Sequence, residues 1–181
     1  ILSPSAALAP ARDGAYALSM RTDLAMLVEL ADAEFDGESF NGPSLMATLE
    51  KLSPEAAASH DTFEGYSAWE TAIHCLYFKY FIARSLGAAG PVEPYPYEQE
   101  SFVRVEGADV EAWKQLDAYH RRVHNAVWTA IAGLDDARLD STMPEWKIPY
   151  RAAIAWLATH DTYHAAQIRN MGVPGLRSPR D

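Results

Sequence analysis

Four stretches of the chain have apolar residues recurring every three or four positions, the spacing of amphipathic helices. They cover approximately residues 15–35, 67–87, 109–133 and 149–171. No stretch shows a convincing alternation of period two, the signature of a half-buried strand. The pattern predicts an all-α fold, a four-helix bundle with long connections between its helices.

Local signals mark the ends of these helices. Ser67 and Glu70 have the spacing of a capping box, in which each side chain binds the other's free backbone amide. Gly87 stands where a left-handed residue would end the second helix, and Asp109 is placed to cap the third. Gly172, with Pro174 two residues later, is a stop signal for the fourth helix.

The connections carry their own signals. A short helical segment is predicted around residues 45–52, and another near Ala56, after a serine cap and a proline. The link from Gly87 to Gly107 is long and rich in proline and aromatic residues. Links of this length are usually functional or disordered, so this one either covers a site or is an ordinary surface connection.

The chain has 181 residues, 49% of them hydrophobic and 22% charged, which is typical of one soluble domain with a single core. We expect that domain to span residues 15–172. The preceding residues 1–14 are predicted to be a loosely ordered lead-in, and residues 173–181 a C-terminal tail.

Charge and cysteine content exclude several classes of function. The net charge of −10 disfavours nucleic acid or an anionic membrane surface as partner, because both attract a basic patch. A single cysteine, Cys75, allows neither an intramolecular disulfide nor a multi-thiolate metal site. It is typical of a reducing, cytoplasmic setting, and no apolar run reaches the length of a transmembrane helix.

Histidine is the residue type with the most suggestive placement. Two pairs among the six histidines have the i, i+4 spacing that stacks side chains on one helix face: His120 with His124, and His160 with His164. On a helical wheel His160 and His164 point inward, in company with Trp156 and Tyr163. His74 points inward from the second helix. Several imidazoles facing one core can share a metal ion, whereas a lone inward histidine is more often a hydrogen-bonded core residue, our preferred interpretation of His120 and His124.

Two segments resemble the DinB/YfiT-like family of metal-binding four-helix proteins. The run from His160 to Ile168 (HDTYHAAQI) is similar to the family's H-D-x-x-H-x-x-Q-I segment, and the run from Ser67 to His74 (SAWETAIH) to its S-x-W-E-x-x-x-H segment. The order and separation of the segments also agree, and the resemblance extends over about residues 15–172. Ala165-Ala166 departs from the Ala-Gly frequent in relatives, which should affect helix packing more than metal binding.

The resemblance implies a metal site made by His74, His160 and His164, holding nickel or zinc with positions open to water or substrate. Gln167 would then lie behind the ligands, as a partner that orients them, or at the mouth of the site. Asp161 points sideways from His160 and is either such a partner or a surface carboxylate. Glu70, one turn before His74, is a spare ligand candidate, although its capping role explains it adequately.

Among similar proteins the implied activity is transfer of a low-molecular-weight thiol, such as bacillithiol or mycothiol, to an electrophilic small molecule. An alternative is a metal-dependent hydrolase that activates water, for which Glu70 and His120 are the only candidate bases. A third possibility is a stress-associated metal-binding protein without turnover.

The second helix is apolar on all sides, which is typical of a helix buried on both faces. Its outward side carries Trp69, Ile73, Leu76 and Tyr80. The fourth helix adds a back face of small residues, among them Ala155 and Ala166. We therefore predict a homodimer, as relatives often form, unless the linker segments cover these faces.

Overall fold

The structure, a computed structural model, describes residues 22–176, and these are organised by α-helices. The helices are α1 (Thr22–Phe35), α2 (Leu45–Leu49), α3 (Pro54–Ala58), α4 (Ala68–Ser85), α5 (Val110–Ala132), α6 (Asp136–Asp140) and α7 (Tyr150–Asn170). Within this range no strand forms, and the one isolated bridge joins Thr142 to Pro149. The predicted all-α class is confirmed.

The four long helices α1, α4, α5 and α7 correspond to the four amphipathic stretches. Both Ser67 and Glu70 make the expected capping-box hydrogen bonds, and Asp109 caps α5. Gly87 and Gly172 adopt the positive φ that a left-handed terminator requires. The expected start of the first helix near residue 15 and the lead-in 1–14 lie outside the described residues.

Two features depart from the expectations. The short helix α6 was not predicted, although Asp135 caps it by accepting a hydrogen bond from the Arg138 amide. Val173, which we assigned to the tail, is fully buried in the core next to the end of α7. A serine–proline start signal correctly placed α3, whereas α6 has only a run of charged residues to mark it.

Helix α4 lies at the centre of the bundle and packs against both α5 and α7, while α1 packs against α7. Its apolar outer side is covered within the same chain. The Trp69 ring lies 4.9 Å from that of Trp113 on α5, and Tyr80 stacks on Tyr95 of the long link at 4.4 Å. Helix α5 and the long link together therefore cover this face, which gives no support for a homodimer.

Within residues 22–176, no helix is both long enough and apolar enough to cross a membrane. The longest helix, α5, has a buried stripe on one side and charged residues on the other. Such helices bury one side in a protein core and leave the other in water.

Candidate metal centre

Helices α4 and α7 bring three histidines together in the bundle. One ring nitrogen each of His74, His160 and His164 lies within 4.8 Å of the other two, and all three side chains are buried. His160 and His164 meet because residues four apart share one face of α7, and His74 faces them from α4. Among the described residues no fourth histidine, cysteine or carboxylate belongs to this group.

Two of the three rings are held in orientation through Nδ1. His74 Nδ1 lies 2.7 Å from the Ser101 carbonyl oxygen, which can only accept, so Nδ1 donates. His164 Nδ1 lies 2.6 Å from the Gln167 side-chain oxygen, and the Gln167 amide nitrogen in turn donates to Glu64. In a neutral ring a protonated Nδ1 leaves Nε2 with its lone pair free. Both rings thus present Nε2 as a ligand atom.

The spacing of two of the nitrogens suits neighbouring ligands of one transition metal ion. His160 Nε2 and His164 Nε2 are 3.0 Å apart, within the roughly 2.9–3.3 Å that separates adjacent ligands about 2.05 Å from an octahedral or tetrahedral ion. His160 Nδ1 is buried and has no partner among the described residues, so the Nε2 side carries the polar contacts of this ring.

The environment keeps the three imidazoles neutral. Burial lowers the pKa of His74 to about 4, with a further small lowering from His164. Burial lowers the pKa of His160 to about 2, with added repulsion from His164. The pKa of His164 is lowered by burial as well. Since only a neutral imidazole offers a lone pair to a metal, these residues fit the group that the sequence implied.

Aromatic rings surround the three histidines. Phe102, in the long link, stacks on His74 at 4.2 Å, and Trp156 lies 4.3 Å from His160. Tyr163 contacts the edge of His164 at 4.9 Å. The wheel placed Trp156 and Tyr163 in the core, which is wrong: they are 39% and 65% exposed. They stand at the mouth of the site, where solvent reaches the rings.

Glu70 is buried but does not face the three histidines. Its Oε2 accepts from the Ser67 amide, and its Oε1 accepts from the Val105 amide at 3.0 Å and lies 2.9 Å from His60 Nε2. The capping role was expected, whereas the other two partners were not. Through Val105, Glu70 fastens the part of the link that carries Ser101 and Phe102 over the histidines.

Asp161 pairs with a residue that the sequence did not single out. Lys79, on α4, is completely buried, and its ammonium lies 2.6 Å from Asp161 Oδ2. Asp161, His160 and Cys75 form a second group with metal-like spacing. The adjacent ammonium and the raised pKa of the buried Cys75 thiol make this group unsuitable for a cation.

The other histidine pair is part of the core, as expected. His120 Nε2 lies 3.1 Å from the Lys79 ammonium, and His124 Nε2 lies 2.9 Å from Asp32. The His124 ring stacks on Phe35 with 3.9 Å between centroids. Neither histidine belongs to the group on α4 and α7.

Replacing Gln167 with leucine should weaken metal binding without removing a ligand. The substitution deletes the acceptor that orients His164 through Nδ1, and losses of this kind cost about 10- to 100-fold in metal affinity. Competition with a chromophoric zinc chelator measures the change. Asn170→Ala is the control: this residue ends α7, three positions after Gln167, and among the described residues its side chain donates to the Ala166 carbonyl of the same helix. Equal affinities for the two variants would show that Gln167 does not orient His164.

Comparison with known proteins gives one family. The DinB superfamily model matches residues 41–168, which include both histidine-bearing segments. No curated protein and no solved structure matches the chain. The matched region covers α2 to nearly the end of α7, so the family assignment includes most of the bundle and all three histidines. The chain belongs to the DinB superfamily.

Proposed function

We propose that His74, His160 and His164 hold one divalent transition metal ion, and that the protein is a metal-dependent transferase of a low-molecular-weight thiol. The observation that carries the proposal is the set of three buried, neutral imidazoles with converging nitrogens and no fourth protein ligand among the described residues. Structural zinc sites are normally closed by four protein ligands, whereas catalytic sites leave a position open. A divalent ion there supplies a Lewis acid that favours the thiolate form of a bound thiol.

The chain's own thiol is not suited to be the nucleophile. Cys75 is completely buried, and burial raises its pKa well above the usual range. A thiolate is the reactive form, so an inaccessible cysteine held as a thiol is inert. The sulfur that reacts would therefore come from a small cosubstrate that enters between the exposed rings of Trp156 and Tyr163.

Hydrolysis by activated water would need a general base near the metal. Both candidates have other partners: Glu70 binds the Ser67 and Val105 amides, and His120 is directed to Lys79. A base must lie within hydrogen-bond reach of the proton that it removes. Thiol transfer depends less on such a base, because a metal-bound thiol is deprotonated outright whereas metal-bound water still titrates near neutral pH. This difference favours transfer over hydrolysis.

The test uses metal-loaded and metal-stripped protein with bacillithiol or mycothiol and 1-chloro-2,4-dinitrobenzene. The thiol sulfur forms a bond to the ring carbon as chloride leaves, and the thiol proton passes to buffer. We expect product formation that needs metal, thiol and protein together, at least about tenfold above the uncatalysed rate. His164→Ala, which removes one proposed ligand, should behave like metal-stripped protein.

A different pattern would overturn the transferase assignment. Hydrolysis of 4-nitrophenyl acetate without thiol, dependent on the metal, would support the hydrolase alternative. Stoichiometric metal binding with neither activity, over a panel of electrophiles, would support a stress-associated metal-binding role without turnover.

Nickel or zinc is the proposed native ion, because imidazole ligands suit both. We also propose a cytoplasmic homodimer, with the small-residue back face of α7, where Ala155 is exposed and Ala166 is partly exposed, as the surface available for it. Native mass spectrometry of untagged protein reports the bound ion and the number of chains together. A monomer at cellular concentration would contradict the dimer while leaving the metal assignment unaffected.

A further inference from the structure

A cavity lies between α2 and α5, away from the three histidines. It has a volume of about 210 Å³. Apolar side chains from both helices make most of its wall: Met46, Leu49, Trp113 and Leu116. The charged lining residues are Glu50, Lys114 and Asp117, of which Glu50 and Asp117 are already bound by Arg121.

His120 also lines this cavity and has an unused polar atom. The Lys79 ammonium can only donate, so His120 Nε2 accepts from it, at 3.1 Å. In a neutral ring the proton then lies on Nδ1. Burial and the Lys79 charge lower the pKa of His120 well below its usual range, which agrees with the neutral form. Among the described residues Nδ1 has no hydrogen-bond partner, although His120 is only 1% exposed.

A buried donor without a partner costs about 1–3 kcal/mol, so its presence in a folded core calls for an acceptor. Water alone is a poorer candidate, because a buried water needs about two to four polar partners. Met46, Leu49 and Leu116 offer no strong hydrogen-bonding group and Trp113 offers only its indole N–H. The polar lining residues have other partners: Arg121 binds both carboxylates, and Lys114 is exposed to solvent. An acceptor carried by an apolar molecule satisfies both the donor and the walls.

We propose that this cavity binds a small, neutral, largely apolar molecule whose carbonyl oxygen accepts a hydrogen bond from His120 Nδ1. Engineered apolar cavities of about 150 Å³ take up benzene. A volume of 210 Å³ therefore suits an aromatic or aliphatic ring with one small carbonyl group. An anionic ligand is disfavoured, because a buried charge requires more than one neutral donor and two carboxylates already line the rim. This binding site is independent of the proposed metal chemistry.

The test compares acetophenone with α-methylstyrene, in which a CH₂ group replaces the carbonyl oxygen. Titrations followed by ¹H–¹⁵N spectra should give acetophenone a dissociation constant of about 0.1–1 mM, with shifts confined to residues 46–50 and 113–120. The alkene should bind about fivefold more weakly, the usual worth of one neutral hydrogen bond. Burial of apolar surface without a hydrogen bond would make the alkene the tighter ligand, so the two explanations predict opposite orders of affinity.

Two variants locate the site. Leu49→Phe should fill the cavity and weaken acetophenone binding at least tenfold, whereas His160→Ala/His164→Ala should leave it within twofold. The second result separates this inference from the proposed metal function, since each can fail alone. Equal or tighter binding of the alkene, shifts elsewhere in the bundle, or no binding of acetophenone at 5 mM (about fivefold above the upper end of its expected range) would overturn the proposal.

Discussion

Untagged wild-type protein, reloaded with zinc or nickel, should carry about one ion per chain, and the His160→Ala/His164→Ala variant less than about a tenth of that. The variant removes two of three proposed ligands, and a single remaining imidazole on α4 cannot hold a divalent ion against dilution. Elemental analysis after gel filtration measures both proteins. His74→Ala, which removes the ligand from the other helix, should give the same loss.

The matched control is His124→Gln. This residue is a buried histidine on a neighbouring helix, outside the group of three, so its replacement should leave metal content unchanged. Circular dichroism confirms that each variant is folded. Retention of a full equivalent of metal by the folded double variant would place the ion elsewhere. Failure of the wild type to take up metal would make the three histidines ordinary core residues.

The sequence was sufficient for the four long helices and for the pairing of His160 with His164, because both depend on local rules. Helix ends are set by caps within a few residues, as at Ser67 and Asp109. The i, i+4 spacing fixes the relative position of His160 and His164 whatever surrounds them. That His74 joins them was implied by the resemblance to the DinB/YfiT-like family, because an apolar face on each helix does not fix where along the helices their side chains meet.

The features that sequence reasoning missed depend on contacts between distant segments. Lys79 belongs to an apolar helix, and nothing local shows that its ammonium meets Asp161 and His120 inside the core. The partner of His74 is a backbone carbonyl in the long link, which carries no side-chain signal. A helical wheel also cannot tell a face covered by another helix from one at the mouth of a site, which explains the error at Tyr163.

Metal-free protein should lose stability steeply as the pH falls from 7.5 to 5.5. Burial lowers the pKa of both His74 and His124 to about 4, that of His160 to about 2, and that of His120 in the same direction. In the unfolded chain each would titrate near 6.5. Below that pH the unfolded state binds protons that the native state does not bind, so acid favours unfolding.

The sign and size of the change in the free energy of unfolding follow from the number of protons taken up on unfolding. Four such histidines imply an uptake of about three to four protons at pH 5.5, and a loss of about 5 kcal/mol in the free energy of unfolding between pH 7.5 and 5.5. The loss continues toward pH 4, where the native His74 and His124 begin to accept protons themselves. Urea unfolding at several pH values gives the uptake from the slope.

Two variants separate the histidine effect from general acid sensitivity. His124→Gln should reduce the proton uptake by about one, because its ring no longer differs between the folded and unfolded states. Ile154→Val, a buried change without a titrating group, should lower stability by about 1 kcal/mol at every pH and leave the slope unchanged. An uptake near zero in the wild type would mean that the buried imidazoles already accept protons in the folded bundle. Their neutrality, on which the metal site and the His120 donor both depend, would then be lost above pH 5.5.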